Sequence, residues 1–144
     1  MDIVIVPPEM INLVWDKVEP QLQKCNDAMP EDAKVDIVKY KQKLLTNNNF
    51  RLVIVADGDK CVATSVMKII TTEDDRYMEL NAFAGYGVNN WIDDLLEVVK
   101  SVAINQSCKR LVIYAYREGI GMMAQDRGFT QGHIQYIHNL GDKA

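Results

Sequence analysis

Residues 52–70 constrain this chain more than any other stretch. Leu52–Ala56 and Cys61–Ile70 are rich in β-branched residues and are joined through Asp57-Gly58, a two-residue hairpin signal. Strands linked so tightly pair antiparallel, because a parallel pair needs a crossover of about a dozen residues or more. The chain must therefore build around an antiparallel centre, and the period of its other apolar residues says what flanks it.

Ile3–Val6 reads as a first strand, closed by Pro7-Pro8. Pro8 and Glu9 suit the first turn of a helix, where proline loses no hydrogen bond and an acid faces the positive dipole end. Ile11, Val14, Trp15, Val18 and Leu22 then form one apolar stripe, and Pro20 is expected to kink or split that helix by removing a backbone donor. A second helix is expected to open near Pro30-Glu31, to bury Ala33, Ile37, Tyr40 and Leu44, and to stop at Asn47-Asn48-Asn49. After the hairpin come a polar turn at Thr71–Asp75 and a strand over Arg76–Phe83. Asn90–Gln106 is the strongest helix. Trp91, Leu95, Val98 and Val102 line up, with Ile92, Leu96, Val99 and Ala103 beside them, a face wide enough to lie flat on a sheet. Arg110–Tyr116 reads as a strand, Glu118–Arg127 as a short helix, and Phe129–Leu140 as a last strand. The order is β-α-α-β-β-β-α-β-α-β, with no linker or repeat.

At 144 residues, 48% hydrophobic and 25% charged, the chain has the size and composition for one buried core. No apolar run approaches the ~20 residues of a bilayer span. The N-terminus shows neither the basic region nor the apolar stretch of a signal peptide, so a cytoplasmic protein with no membrane partner is expected. A net charge of −4 argues against a broad nucleic-acid surface. Lys34, Lys39, Lys41 and Lys43 read as a solvated helix face, with a docking patch for an acidic partner as the alternative. Cys25, Cys61 and Cys108 are odd in number and far apart, which argues against a disulfide framework and a structural zinc site. His133 and His138 lie five apart in an expected strand, point to opposite faces and make no metal pair.

That order, with "RLVIVADGDKCVAT", the long helix after "AGYGV" and "MMAQDRGFTQ" before the last strand, resembles the GNAT superfamily of acyl-CoA-dependent N-acyltransferases. The resemblance spans nearly the whole chain and rests on element order and the Gly128-Phe129 pair. More narrowly, Trp15, Val18, Glu19 and Pro20, together with Arg117 and Gly119, are similar to motifs of compact GNAT-like proteins encoded by tailed bacteriophages. The resemblance implies an α/β (α+β) fold: one GNAT-like domain over residues 1–144, with a mixed, mainly antiparallel sheet of six to seven strands and about four flanking helices. It also implies a V-shaped cleft between the fourth and fifth strands for acetyl-CoA. Pantetheine would pair with the backbone at Ala82 and Phe83, and pyrophosphate would sit at Gly87, Val88, Asn89 and Asn90, where free amides and the helix dipole favour an anion.

The loop departs from the family pattern, roughly Arg/Gln-x-x-Gly-x-Gly/Ala a few residues before a Leu-Leu pair. Anchoring on Leu95-Leu96 places Val88, Asn90 and Ile92 where small residues are expected, while Gly85 and Gly87 lie nearer the strand. No arginine or lysine lies between Tyr77 and Val99. Asp93 and Asp94 fall in the first helical turn, where carboxylates repel a second anion. Asn90 with Asp93 is expected to form a capping-box-like start that satisfies the amides internally.

Acyl transfer to an amine needs a base for the amine and an acid for the leaving thiolate. The family's acid is a tyrosine four residues before the Gly-Phe pair; here that position is Ala124. Tyr114, Tyr116 or Tyr136 are the substitutes, against a reading of Tyr114 and Tyr116 as ordinary sheet aromatics. Glu79 is the carboxylate well inside the fourth strand and the candidate base; with Tyr77 and Asn81 it alternates onto the polar face, which reads as solvated. His133 and His138 have pKa values suited to a base by residue type but read as surface groups. Cys108, in a turn without a histidine partner, is not a nucleophile, and Met122-Met123 read as core filler.

Two functions follow. One is a GNAT-fold protein with a degenerate acyl-CoA site, acting as a phage-type accessory or virion-associated binding protein with a protein partner in a host cytoplasm. The other is an active N-acetyltransferase using Glu79 and a strand tyrosine on a cationic acceptor such as lysine or a polyamine. Ile134 and Tyr136, on the last strand, are the surface through which a homo-oligomer would form.

Overall fold

The computed structural model describes residues 1–31, 34–113 and 118–130, and for 82–84 and 118–121 the backbone alone. The element order is β1 (Asp2–Val6), α1 (Ile11–Asp27), α2 (Ile37–Thr46), β2 (Phe50–Asp57), β3 (Lys60–Thr71), β4 (Arg76–Gly85), α3 (Ile92–Asn105), β5 (Leu111–Ile113) and α4 (Glu118–Asp126). This follows the expected order as far as α4. Of the expected last strand, everything from residue 131 onward lies outside the described residues, so the described sheet has five strands rather than six to seven. Two units are distinguished, Met1–Tyr114 and Ala115–Ala144. The first holds the sheet with α1, α2 and α3, the second α4.

The strands run in the order β1-β2-β3-β4-β5; β1 to β4 pair antiparallel, and β5 is parallel to β4. Cross-strand partners share a face of a sheet. Val6, Leu52, Val66 and Asn81 make one row, and Phe50, Lys68 and Glu79 the next. On this face lies a core of Val6, Ile11, Trp15, Val18, Leu22, Ile37, Leu44, Phe50, Leu52 and Val66, in which α1 and α2 supply the helical side. Val53, Val55, Ala63, Met67, Ile69, Met78 and Leu80 on the other face are also buried. There α3, which touches β1, turns in Ile92, Leu95, Leu96, Val99 and Ala103. Each fully buried Leu or Ile stabilises the fold by roughly 1.5–3 kcal/mol.

Three local expectations are corrected. Helix α1 is not split at Pro20, which lies within one continuous helix. The proline faces solvent while Val18 and Leu22 on either side are fully buried, and that burial outweighs the ~3 kcal/mol penalty of an interior proline. Helix α2 opens at Ile37 rather than near Pro30, because the Asp36 carboxylate caps it, accepting from the amides of Val38 at 3.0 Å and Lys39 at 3.4 Å. Ahead of it the Asn26 side chain makes two 2.8 Å hydrogen bonds to the Val35 backbone, and Ala33 lies outside the described residues. The hairpin turn is Gly58-Asp59, one residue later than expected, since Asp57 still pairs with Lys60. Of these two only Gly58 has positive φ, the pattern of a II′ turn.

Candidate functional site

The candidate residues gather along β4 and at the start of α3. Ser65 pairs with Phe83 while Val66 pairs with Asn81, so Ala82 is an extra residue and β4 carries a bulge. The buried Ser65 hydroxyl donates to the Asn81 carbonyl at 3.1 Å, supplying a partner at the point where the ladder is interrupted. Hydrophobic alternation alone gave no sign of this bulge.

Beyond the bulge, Gly85 has φ +142°, and a Cβ there would lie 2.5 Å from the Val62 carbonyl oxygen and 2.6 Å from Ala63. Only glycine lets the end of β4 lie this close on β3. Gly87, at φ 66° and ψ 37°, opens a 3-10 turn over Val88–Asn90, which leads through Trp91 into α3. The expected capping box of Asn90 with Asp93 does not form. Trp91 holds the N-cap position of α3, and no side chain caps either helical start. The cause is the indole: Trp91 is buried, and its Nε1 donates to the Tyr86 carbonyl at 2.8 Å, which draws Asn90 into the 3-10 turn and out of capping phase. Asp93 and Asp94 do stand in the first turn, both exposed.

A cation is present after all. The hairpin register that sets Ala63 opposite Gly85 brings Lys60 to this loop, with Nζ 5.0 Å from the Tyr86 ring centroid. A hydrogen bond to Tyr86 holds the Lys60 ammonium above its ordinary pKa. Inspection of residues 77–99 misses this lysine because it arrives from another strand. The signal that finds it is the pairing of the hairpin's second strand with the strand after it.

Glu79 lies mid-strand between Lys68 of β3 and Val112 of β5. It is 8% exposed, not solvated as expected, because α1 packs on β3 and β4. On the same face the Tyr77 ring lies 4.5 Å from the Arg110 guanidinium, which pairs with Asp75. The parallel pairing of β4 with β5 covers Met78–Leu80, and any divergence after Ile113 lies outside the described residues. Tyr114, Tyr116, His133, Tyr136 and His138 lie outside them too, and for Ala82 and Phe83 only the backbone is placed. The structure therefore sets Glu79, the β4 bulge at Ala82 and the turn Gly87, Val88, Asn89 and Asn90 in succession along β4 and into α3, with Lys60 at the turn and Glu79 farther back along the strand.

In α4, Ala124 is buried and its carbonyl accepts from the amides of Arg127 and Phe129 at 3.0 and 3.1 Å. Its methyl cannot donate a proton. Met122 is 60% exposed rather than core filler. Among the described residues no group of three His, Cys, Asp or Glu could hold a metal, and no helix is long and apolar enough to cross a membrane.

The chain matches no protein-family model and no curated protein sequence. It is similar in structure to an aminoglycoside acetyltransferase from an uncultured soil metagenomic sample, solved in complex with sisomicin (TM-score 0.73, 11% identity, covering 96% of this chain and 95% of that one). A predicted acetyltransferase from Clostridium acetobutylicum, solved with acetyl-CoA, aligns at TM-score 0.72 and 16% identity over 98% of this chain and 97% of that one. A probable acetyltransferase aligns at TM-score 0.72 and 18% identity over 99% of each. At such identities the likeness is one of fold, and the fold is GNAT-like.

Proposed function

We propose that this chain, taken as one acyltransferase-type domain over residues 1–144, binds acyl-CoA and passes the acyl group to an amine. The observation that carries the reading is the start of α3. It is uncapped by any side chain, it follows a left-handed glycine, and Lys60 stands at the loop before it. Backbone amides at a helix start attract an anion, and the lysine adds a full positive charge. Asp93 and Asp94 oppose this; like Lys60 they are exposed, so water and salt screen all three charges alike and the backbone amides carry the preference. The residues present thus fit acyl-CoA, with the backbone of Ala82 and Phe83 facing pantetheine and Gly87, Val88, Asn89 and Lys60 facing phosphates; the Asn90 amide already donates to the Gly87 carbonyl at 2.9 Å, which leaves its side chain for the ligand.

Bound acyl-CoA supplies a thioester: a C–N bond forms to the amine, the C–S bond breaks, and the thiolate is protonated to free CoA. Glu79 takes the proton that the amine loses, and its place inside β4 shields that carboxylate from bulk water. Titration calorimetry with acetyl-CoA and with S-acetylpantetheine, which lacks the nucleotide phosphates, tests the phosphate site. Lys60→Met is expected to weaken acetyl-CoA about tenfold, the worth of one charge-assisted hydrogen bond, and to leave S-acetylpantetheine unchanged. Equal effects on both ligands would refute a phosphate role for Lys60.

One observation favours a second reading. Ala124 stands where the resemblance implies the general acid, which suits a binding protein that has lost turnover. That protein would be a phage-type accessory or virion component acting through a protein partner or a second copy. Acetyl-CoA binding without acyl transfer to any amine supports this alternative.

A further inference from the structure

Glu79 has charged company on its face of the sheet. Phe50 is opposite Lys68, and Lys68 is opposite Glu79, so the three form one row across β2, β3 and β4, with neighbouring strands ~4.8 Å apart. The Lys68 ammonium lies 5.4 Å from the Phe50 ring centroid, and Lys43 of α2 lies 5.0 Å from the same ring. Lys41 lies 5.5 Å from the Trp15 ring in the same helical layer. None of the three lysines forms an ion pair with a carboxylate among the described residues. Both ammonium groups stand near the same ring, so an anion brought to this face meets two positive charges. Lys68 is half-buried and Glu79 buried, which weakens the screening of their charges by water.

From this row we infer the acceptor class: an amine carrying a carboxylate on the adjacent carbon, that is, a free α-amino acid. The inference rests on the acyl-transfer reading above. Glu79 receives the ammonium end and gives the base; Lys68, with Lys43 behind it, receives the carboxylate. Opposite charges on adjacent strands match the paired charges of a zwitterion. A polyamine or an aminoglycoside offers cations alone, and Lys68 and Lys43 repel them. The cationic acceptor expected from the net charge of −4 is therefore set aside. Within a Debye length of ~8 Å, the local lysines outweigh the total charge.

Matched acceptors test it, in a thiol-release assay at saturating acetyl-CoA: alanine against ethylamine, leucine against 3-methylbutylamine, with spermidine as a polycation. The amino acid of each pair is expected to show kcat/KM higher by about tenfold or more, through KM, as one charge-assisted contact provides. Lys68→Met should bring each ratio close to one, chiefly by raising KM for the amino acids, and Lys68→Arg should preserve the preference. Without acetyl-CoA, alanine should raise the Tm of the native protein but not of Lys68→Met. Equal or better turnover of the carboxyl-free amines or of spermidine overturns the inference. So does a ratio that Lys68→Met leaves intact, or acetyl-CoA binding with no turnover of either member of a pair. Calorimetry on the same samples keeps the two claims apart: absence of acetyl-CoA binding overturns the acyl-transfer reading itself.

Discussion

Gly85 and Lys60 show how single residues shape the loop after β4. At Gly85 a Cβ would press on the Val62 carbonyl and on Ala63, and the positive φ is strained for any side chain. Gly85→Ala is therefore expected to destabilise the protein by at least about 2 kcal/mol, through overpacking and backbone strain together. Thermal unfolding should record this as a fall in Tm on the order of 5 °C or more. Backbone atoms supply the clash, so no rotamer change can relieve it. Lys60 acts differently. Removing its charge should leave the fold intact and alter only ligand affinity, the split that the two-ligand titration reads.

Among the elements, the helices give the clearest tests. Asp36 caps α2 through two amides, and Asp36→Ala should lower stability by about 1 kcal/mol in denaturant unfolding. Pro20 is exposed within α1, so Pro20→Ala restores a backbone donor without removing core contacts. It should stabilise the protein by about 1–3 kcal/mol and raise the denaturant midpoint. A drop in stability would show that the proline relieves a conflict in α1. Helix and strand identities were legible because the apolar period is strong: Ile11, Trp15, Val18 and Leu22 all reach the core as expected. Local details escaped where tertiary structure overrode local preference. The buried indole of Trp91 displaced the Asn90 capping box, Asp36 outcompeted Pro30 as a helix start, and the bulge at Ala82 depends on a hydroxyl across the strand. As candidate site residues, Lys60 and Lys68 were invisible because cross-strand register, not chain proximity, sets them beside Tyr86 and Glu79.

For the whole molecule, solved acetyltransferases share this fold at 11–18% identity, so the architecture persists while most residues change. What the fold offers here is a bulge in β4, a helix start without a side-chain cap, and a buried carboxylate in mid-strand. Charge at the loop decides whether that frame holds an anion: Lys60 favours it, and Asp93 with Asp94 oppose it. Titration calorimetry of the native protein with acetyl-CoA measures this balance directly. Saturable, one-to-one binding in the sub-millimolar range, weakened about tenfold by Lys60→Met, is the expected result. Absence of binding by the native protein, with binding appearing only in the Asp93→Ala/Asp94→Ala double variant, would contradict it.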